Sequence, residues 1–148
     1  VRGICKFELE DYEDAIVDLN QRIITEPKDR NAYHFIGRCY YSLEEFENAI
    51  EYLSEAISLE TNDISSYYYR GVCKMYLGDY QEAIIDVNKV VEFDENPENI
   101  IFRVLGICEF ELNNYENASE KFLKAIEIND DDEFSKEKYM ECLEILDN

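Results

Sequence analysis

The sequence predicts an all-α solenoid built from repeated helix pairs, and three observations carry that reading. The five cysteines, Cys5, Cys39, Cys73, Cys108 and Cys142, recur at intervals of 34, 34, 35 and 34 residues, and a fixed interval of that size marks a repeat architecture. A shared pattern surrounds the first four. A glycine stands two residues before each (Gly3, Gly37, Gly71, Gly106), an aromatic nine after the glycine (Tyr12, Phe46, Tyr80, Tyr115), an alanine twelve after and an apolar residue sixteen after. Finally, two prolines and five glycines in 148 residues leave little punctuation for a β fold, whereas the abundant Glu, Ile, Leu and Ala favour helices.

Each unit contains two segments with apolar residues at helical spacing, joined by three or four residues and too short to be stable alone. The expected helices are 1–10, 12–25, 30–43, 46–59, 64–77, 80–93, 97–112, 115–128 and 133–146. They form repeats over 1–29, 30–63, 64–98 and 99–132, with a closing helix over 133–148. The single extra residue falls in the 94–99 turn, where a loop absorbs an insertion at little cost. There, Asn96 before Pro97 reads as a helix cap followed by a first-turn proline. In the last segment Cys142 is in register, but Lys136 and Met140 replace the aromatic and the glycine, as expected of a terminal cap. Val1 is not an initiator methionine and the pattern begins partway through a helix, so a piece of a longer chain is expected.

Lys and Arg total 14 against 35 Asp and Glu, a net charge of −21. Phosphates need a basic stripe, so this balance argues against nucleic acid and anionic membrane surfaces. The 46% hydrophobic content is too high for a disordered acidic tail. No run approaches the roughly 18 apolar residues of a membrane span.

The pattern resembles the tetratricopeptide repeat, a 34-residue helix–turn–helix unit. The second copy, RNAYHFIGRCYYSLEEFENAIEYLSEAISLETND, carries the aromatic, the glycine, the tyrosine three after it and the alanine. The resemblance covers nearly the whole chain. Arg22 and Val90 depart from it by replacing the small residue near the end of the second helix, and Pro97 sits two places late. It implies a right-handed superhelix whose glycines and alanines allow close helix approach, with neighbouring units stacking to bury faces that no unit covers alone.

The cysteines read as small buried apolar side chains. Equivalent positions in stacked units lie about 10 Å apart, beyond what a disulfide spans, and no CxxC or HxxxH accompanies them. No metal or cofactor is expected. Free thiols in this number point to a reducing, cytoplasmic compartment. Comparing copies adds an ion-pair hypothesis. Residues 2–20 and 70–88 share 11 of 19 positions, including Arg before the glycine and Asp sixteen residues later: Arg2 with Asp18, Arg70 with Asp86. The other two copies replace both together, with Ile36 and Tyr52, then Leu105 and Lys121.

The resemblance also implies that the first helix of each unit lines a concave groove. The inward positions include Phe7; His34, Phe35, Arg38 and Tyr41; Tyr68, Tyr69, Val72, Met75 and Tyr76; and Arg103, Ile107 and Phe110. Of the 21 inward positions, thirteen are apolar or aromatic, and only Glu8, Arg38, Arg103 and Glu111 are charged, summing to zero. An apolar stripe in an acidic chain predicts a surface for a peptide or helical segment of a partner protein, with Tyr68, Tyr69, Phe35 and Met75 central and Arg38 and Arg103 meeting acidic or carbonyl groups. Alternative expectations are a self-association module, dimer or filament, through the same face, or the targeting domain of a larger enzyme. The carboxylate clamp by which relatives hold chaperone tails is not matched. Counted from Gly37, its positions hold His34, Arg38, Tyr69, Ile100 and Val104; counted from Gly3, they hold Ile4, Phe35, Ser65 and Tyr69. No catalytic residues are expected: His34 has no sequence-evident nucleophile or carboxylate partner, and the acidic run 130–133 lacks the glycine and spacing of a calcium loop.

Overall fold

The computed structural model describes residues 2–9 and 11–148, without the side chains of Arg2, Ile4 and Cys5. The described residues form α1 (Arg2–Glu8), α2 (Tyr12–Thr25), α3 (Arg30–Ser42), α4 (Phe46–Leu59), α5 (Ile64–Tyr76), α6 (Tyr80–Phe93), α7 (Asn99–Glu111), α8 (Tyr115–Ile128) and α9 (Glu133–Leu146). Each helix packs on its sequence neighbours, and α1 also touches α3, α3 touches α5 and α5 touches α7. The even helices make substantial contact only with the odd helices on either side. Odd helices drawn together and even helices held apart give two layers of unequal spacing, the geometry of a curved helical solenoid with the odd helices on its inner side.

The sequence pattern explains this pairing. A Cβ placed on Gly37 would stand 2.6 Å from Leu53 Cγ and 3.3 Å from the Ala49 carbonyl, so only glycine admits the second helix this closely. The same contact recurs between Gly71 and Val87 and between Gly106 and Phe122. These are the residues sixteen after each glycine, and all are buried. Inner helices also end alike. The Glu44 N–H reaches the Tyr41 carbonyl and the Glu45 N–H reaches the Tyr40 carbonyl, a Schellman turn whose penultimate residue must adopt positive φ. Gly78 supplies that conformation without penalty at φ 83°, while Glu44 and Asn113 adopt φ 60°.

Asp29, Asp63 and Asp132 cap α3, α5 and α9 by accepting from the third backbone N–H beyond them. Two of these caps also clasp the start of the preceding inner helix. Arg30 donates to Asp63 at 2.9 Å and Asn99 donates to Asp132 at 2.9 Å. The 94–98 insertion gives a different result from the one expected of Asn96 and Pro97. Helix α7 starts at Asn99 after Glu98, not at 97. Asp94 uses its side chain to accept from the Asn96 N–H at 3.0 Å, and a residue before proline is pushed out of the helical region, so the segment forms an Asx turn instead.

Candidate functional site

The inner helices carry a connected run of rings. Phe7 and Phe35 meet edge to face with centroids 5.5 Å apart, and His34 packs against both Phe35 and Tyr69 at 5.4 and 6.3 Å. Tyr69 in turn contacts Tyr41 at 5.2 Å and Tyr68 at 5.3 Å. Ring pairs of this geometry hold one another in fixed orientation. The Arg38 guanidinium lies in this run, its carbon 4.6 Å from the Phe7 centroid and 4.8 Å from that of Tyr69.

The expected groove residues divide in three. Phe7, Phe35, Arg38, Tyr41, Tyr68, Tyr69, Met75, Arg103, Ile107 and Phe110 are half-buried, leaving part of each side chain accessible. Tyr76 is 58% exposed. His34 and Val72, by contrast, are buried, as is Val104, because these positions face the seam between successive inner helices. The Ile4 side chain lies outside the described residues, as do those of Arg2 and Cys5. Phe46 was missed. It stacks face to face on Tyr76 at 4.8 Å and 11°, and with Tyr41, Ser42 and Glu44 these rings line a cleft of about 350 Å³. Its position nine after the glycine was the available signal, since the turn that starts α4 brings it beside the end of α3. A smaller cleft of about 100 Å³ lies among Ile107, Phe110, Phe134 and Lys138. The hollow of about 730 Å³ at the α2–α3 turn is lined by Arg22, Glu26, Asp29 and Arg30. These charges already pair with one another or with Glu60 and Asp63, and no aromatic side chain is among its described lining residues, in contrast to the cleft at Tyr76.

His34 belongs to a buried relay. Its Nδ1 is 2.8 Å from Ser66 Oγ, and Ser66 donates its hydroxyl to Asp63 at 2.6 Å. With that proton committed to Asp63, the serine accepts from His34 Nδ1–H. A nucleophile–base pair needs the proton to run the other way. Burial pushes the His34 pKa down to about 4, so the ring is neutral. Burial also opposes charge on Asp63, yet hydrogen bonds from Ser66 and Arg30 outweigh it and hold the carboxyl below its ordinary range. The described cysteines, Cys39, Cys73, Cys108 and Cys142, are free and buried. Burial pushes the first three thiols up to about 12, far from reactive thiolates. Among the described residues no cluster of His, Cys, Asp or Glu could hold a metal ion, and no helix is long and apolar enough to cross a membrane.

A family model described as anaphase-promoting complex, cyclosome, subunit 3 matches residues 18–90, and a tetratricopeptide repeat model matches residues 104–132. No curated protein matches the chain. Among solved structures, MamA superposes at a TM-score of 0.91 with 20% identity, over 96% of this chain and 82% of that one. YrrB, described as a TPR protein with an unusual peptide-binding site, superposes at 0.76 with 22% identity, over 84% of this chain and 64% of that one. The first TPR domain of Spaghetti (RPAP3), bound to the HSP90 peptide SRMEEVD, gives 0.75 with 14% identity over 80% and 94%. The repeat pattern, the helix-pair geometry and both family matches agree: the chain belongs to the tetratricopeptide repeat family.

Proposed function

We propose that this chain is a protein-interaction scaffold that holds a peptide or helical segment of a partner against the ring-lined inner face. The observation that carries this reading is Tyr76, 58% exposed and stacked on Phe46 beside an open cleft, in a chain of net charge −21. Exposed aromatic surface of this kind marks interaction sites more often than idle surface, and tyrosine offers contact area at small entropic cost. The family and the peptide-bound RPAP3 structure support the same class of function. Chaperone-tail capture is not part of the proposal. Two of the clamp positions counted from Gly37 hold His34 and Val104, both buried, and neither supplies the lysine or arginine that a tail carboxylate needs. The His34–Ser66–Asp63 relay serves as a structural hydrogen-bond chain, which favours a scaffold over a catalyst. Buried free thiols fit a reducing, cytoplasmic setting.

Selection of binders from a displayed library of random linear peptides tests the proposal. Affinity on the order of micromolar is expected, with loss on Tyr76→Ser at unchanged helix content. Tyr68→Ser/Tyr69→Ser extends the test to the middle of the groove. Binders indifferent to all three substitutions overturn it. Ultracentrifugation across concentration distinguishes the self-association reading, which requires a dimer or filament lost on the same substitutions.

A further inference from the structure

We infer that Arg38 receives a single carboxylate on the segment held by the groove, so that the partner presents one Asp or Glu side chain flanked by apolar residues. This rests on the groove reading and adds the chemistry of its ligand. The first observation is comparative. Arg22 pairs with Glu26 and Asp29, Arg30 with Glu60 and Asp63, Arg70 with Asp86 and Arg103 with Asp132. Arg38 has neither an ion pair nor a hydrogen bond among the described residues, although the chain holds 35 acidic residues against 14 basic ones.

The second observation is geometric. Phe7 and Tyr69 lie 4.6 and 4.8 Å from the guanidinium carbon, and Phe35 lies 5.8 Å away. Its Nε is buried without an acceptor, whereas the two Nη atoms are not sealed off. Ring faces stabilise a cation but satisfy none of its N–H donors. The accessible edge of the fork therefore keeps its donor capacity, in the planar arrangement that matches a carboxylate. Apolar walls also strengthen a charge-assisted bond formed there. Arg103 differs, because Asp132 already lies 3.5 Å from it. One carboxylate is therefore specified rather than two. The overall field of −21 attracts basic ligands without specificity, and screening confines it to about 10 Å. Acidic preference against that background can come only from a local contact.

The test selects the same peptide library on the wild-type protein and on Arg38→Gln at physiological salt. The wild-type pool is expected to be enriched in sequences with one Asp or Glu between apolar residues. A representative peptide should lose roughly 10- to 100-fold in affinity on Arg38→Gln, and as much when its own acid becomes the amide. In the wild-type protein the Arg38 Nε–H resonance should move as that peptide is titrated, a readout that stands even if the variant folds poorly. A pool without acidic enrichment, or affinities unchanged by Arg38→Gln, overturns the inference. If those binders still depend on Tyr76, the groove reading survives alone; if they ignore Tyr76 as well, or if nothing is selected, both readings fall. A dimer of the free protein that disappears on Arg38→Gln would assign the carboxylate to a second copy and overturn the external partner.

Discussion

Arg70 grips Asp86 with both arms of its guanidinium: Nε donates to one carboxylate oxygen at 2.8 Å and an Nη donates to the other at 2.6 Å. The pair bridges α5 and α6 within one unit, and Asp86 is 2% exposed. Lys74 approaches the same carboxylate at 2.9 Å, and Arg70 spends a further donor on Ser54 Oγ of the preceding unit. In the first unit Lys6, the counterpart of Lys74, holds Asp18 at 3.1 Å. Comparing repeat copies anticipated the pair in the third unit; its partner arrangement at Arg2 lies outside the described side chains.

Because Asp86 is buried, removing Arg70 strands a charge that, among the described residues, only Lys74 still offsets. Arg70→Met should cost about 2–4 kcal/mol in urea-induced unfolding. A double-mutant cycle with Asp86→Asn should give a coupling of about 1–3 kcal/mol. Coupling near zero would mean that the bidentate geometry does not contribute to stability.

The His34 relay predicts acid sensitivity with a defined sign. The folded pKa is about 4 against an ordinary value of 6.5, so between those limits the unfolded chain binds more protons. Stability is fully present above about pH 6.5 and falls as pH drops toward 4, by no more than about 3 kcal/mol. Below that, Asp63 and Asp132, both held below their ordinary range against the opposing effect of burial, add a further loss as they protonate. His34→Gln should flatten the curve of unfolding free energy against pH between those limits and leave the lower limb in place.

Gly37→Ala tests the close approach of α3 and α4. Alanine gains about 1 kcal/mol of helix propensity, but its Cβ would meet Leu53 at the branch point of that side chain rather than at a movable tip. Overpacking of this kind costs about 1–3 kcal/mol. A net loss of up to roughly 2 kcal/mol is expected by thermal or urea melting, and a rise in stability would refute the packing account.

Glu44 offers the opposite change. It holds a left-handed backbone at φ 60°, where the equivalent Gly78 sits without strain. Glu44→Gly should stabilise the protein by about 0.5–1 kcal/mol, visible as a higher urea midpoint at unchanged slope. The side chain also borders the Tyr76 cleft, so the substitution should leave peptide binding intact if the rings carry it.

Much of this was legible because a repeat displays its constraints several times. Glycine against the residue sixteen later, alanine and cysteine in the core, and helix limits within about two residues all follow from register. The start of α7 did not, because an Asx turn at Asp94 competes with the capping signal at Asn96. Nor did His34, whose burial depends on Ser66 and Asp63 at the start of the next inner helix. Phe46 escaped for a similar reason: stacking on Tyr76 joins the start of one unit's outer helix to the end of the next unit's inner helix.

The period, the helix pairs, the acidic balance and the Arg70–Asp86 pairing were thus determined by the sequence alone, since each depends on residue counts or on intervals along the chain. Among the described residues, which inner side chains remain open, which arginine lacks a carboxylate and which histidine is sealed were decided only when units stacked. Those properties belong to surfaces shared between neighbours, and the distance across such a seam is set by three-dimensional packing rather than by any interval in the chain.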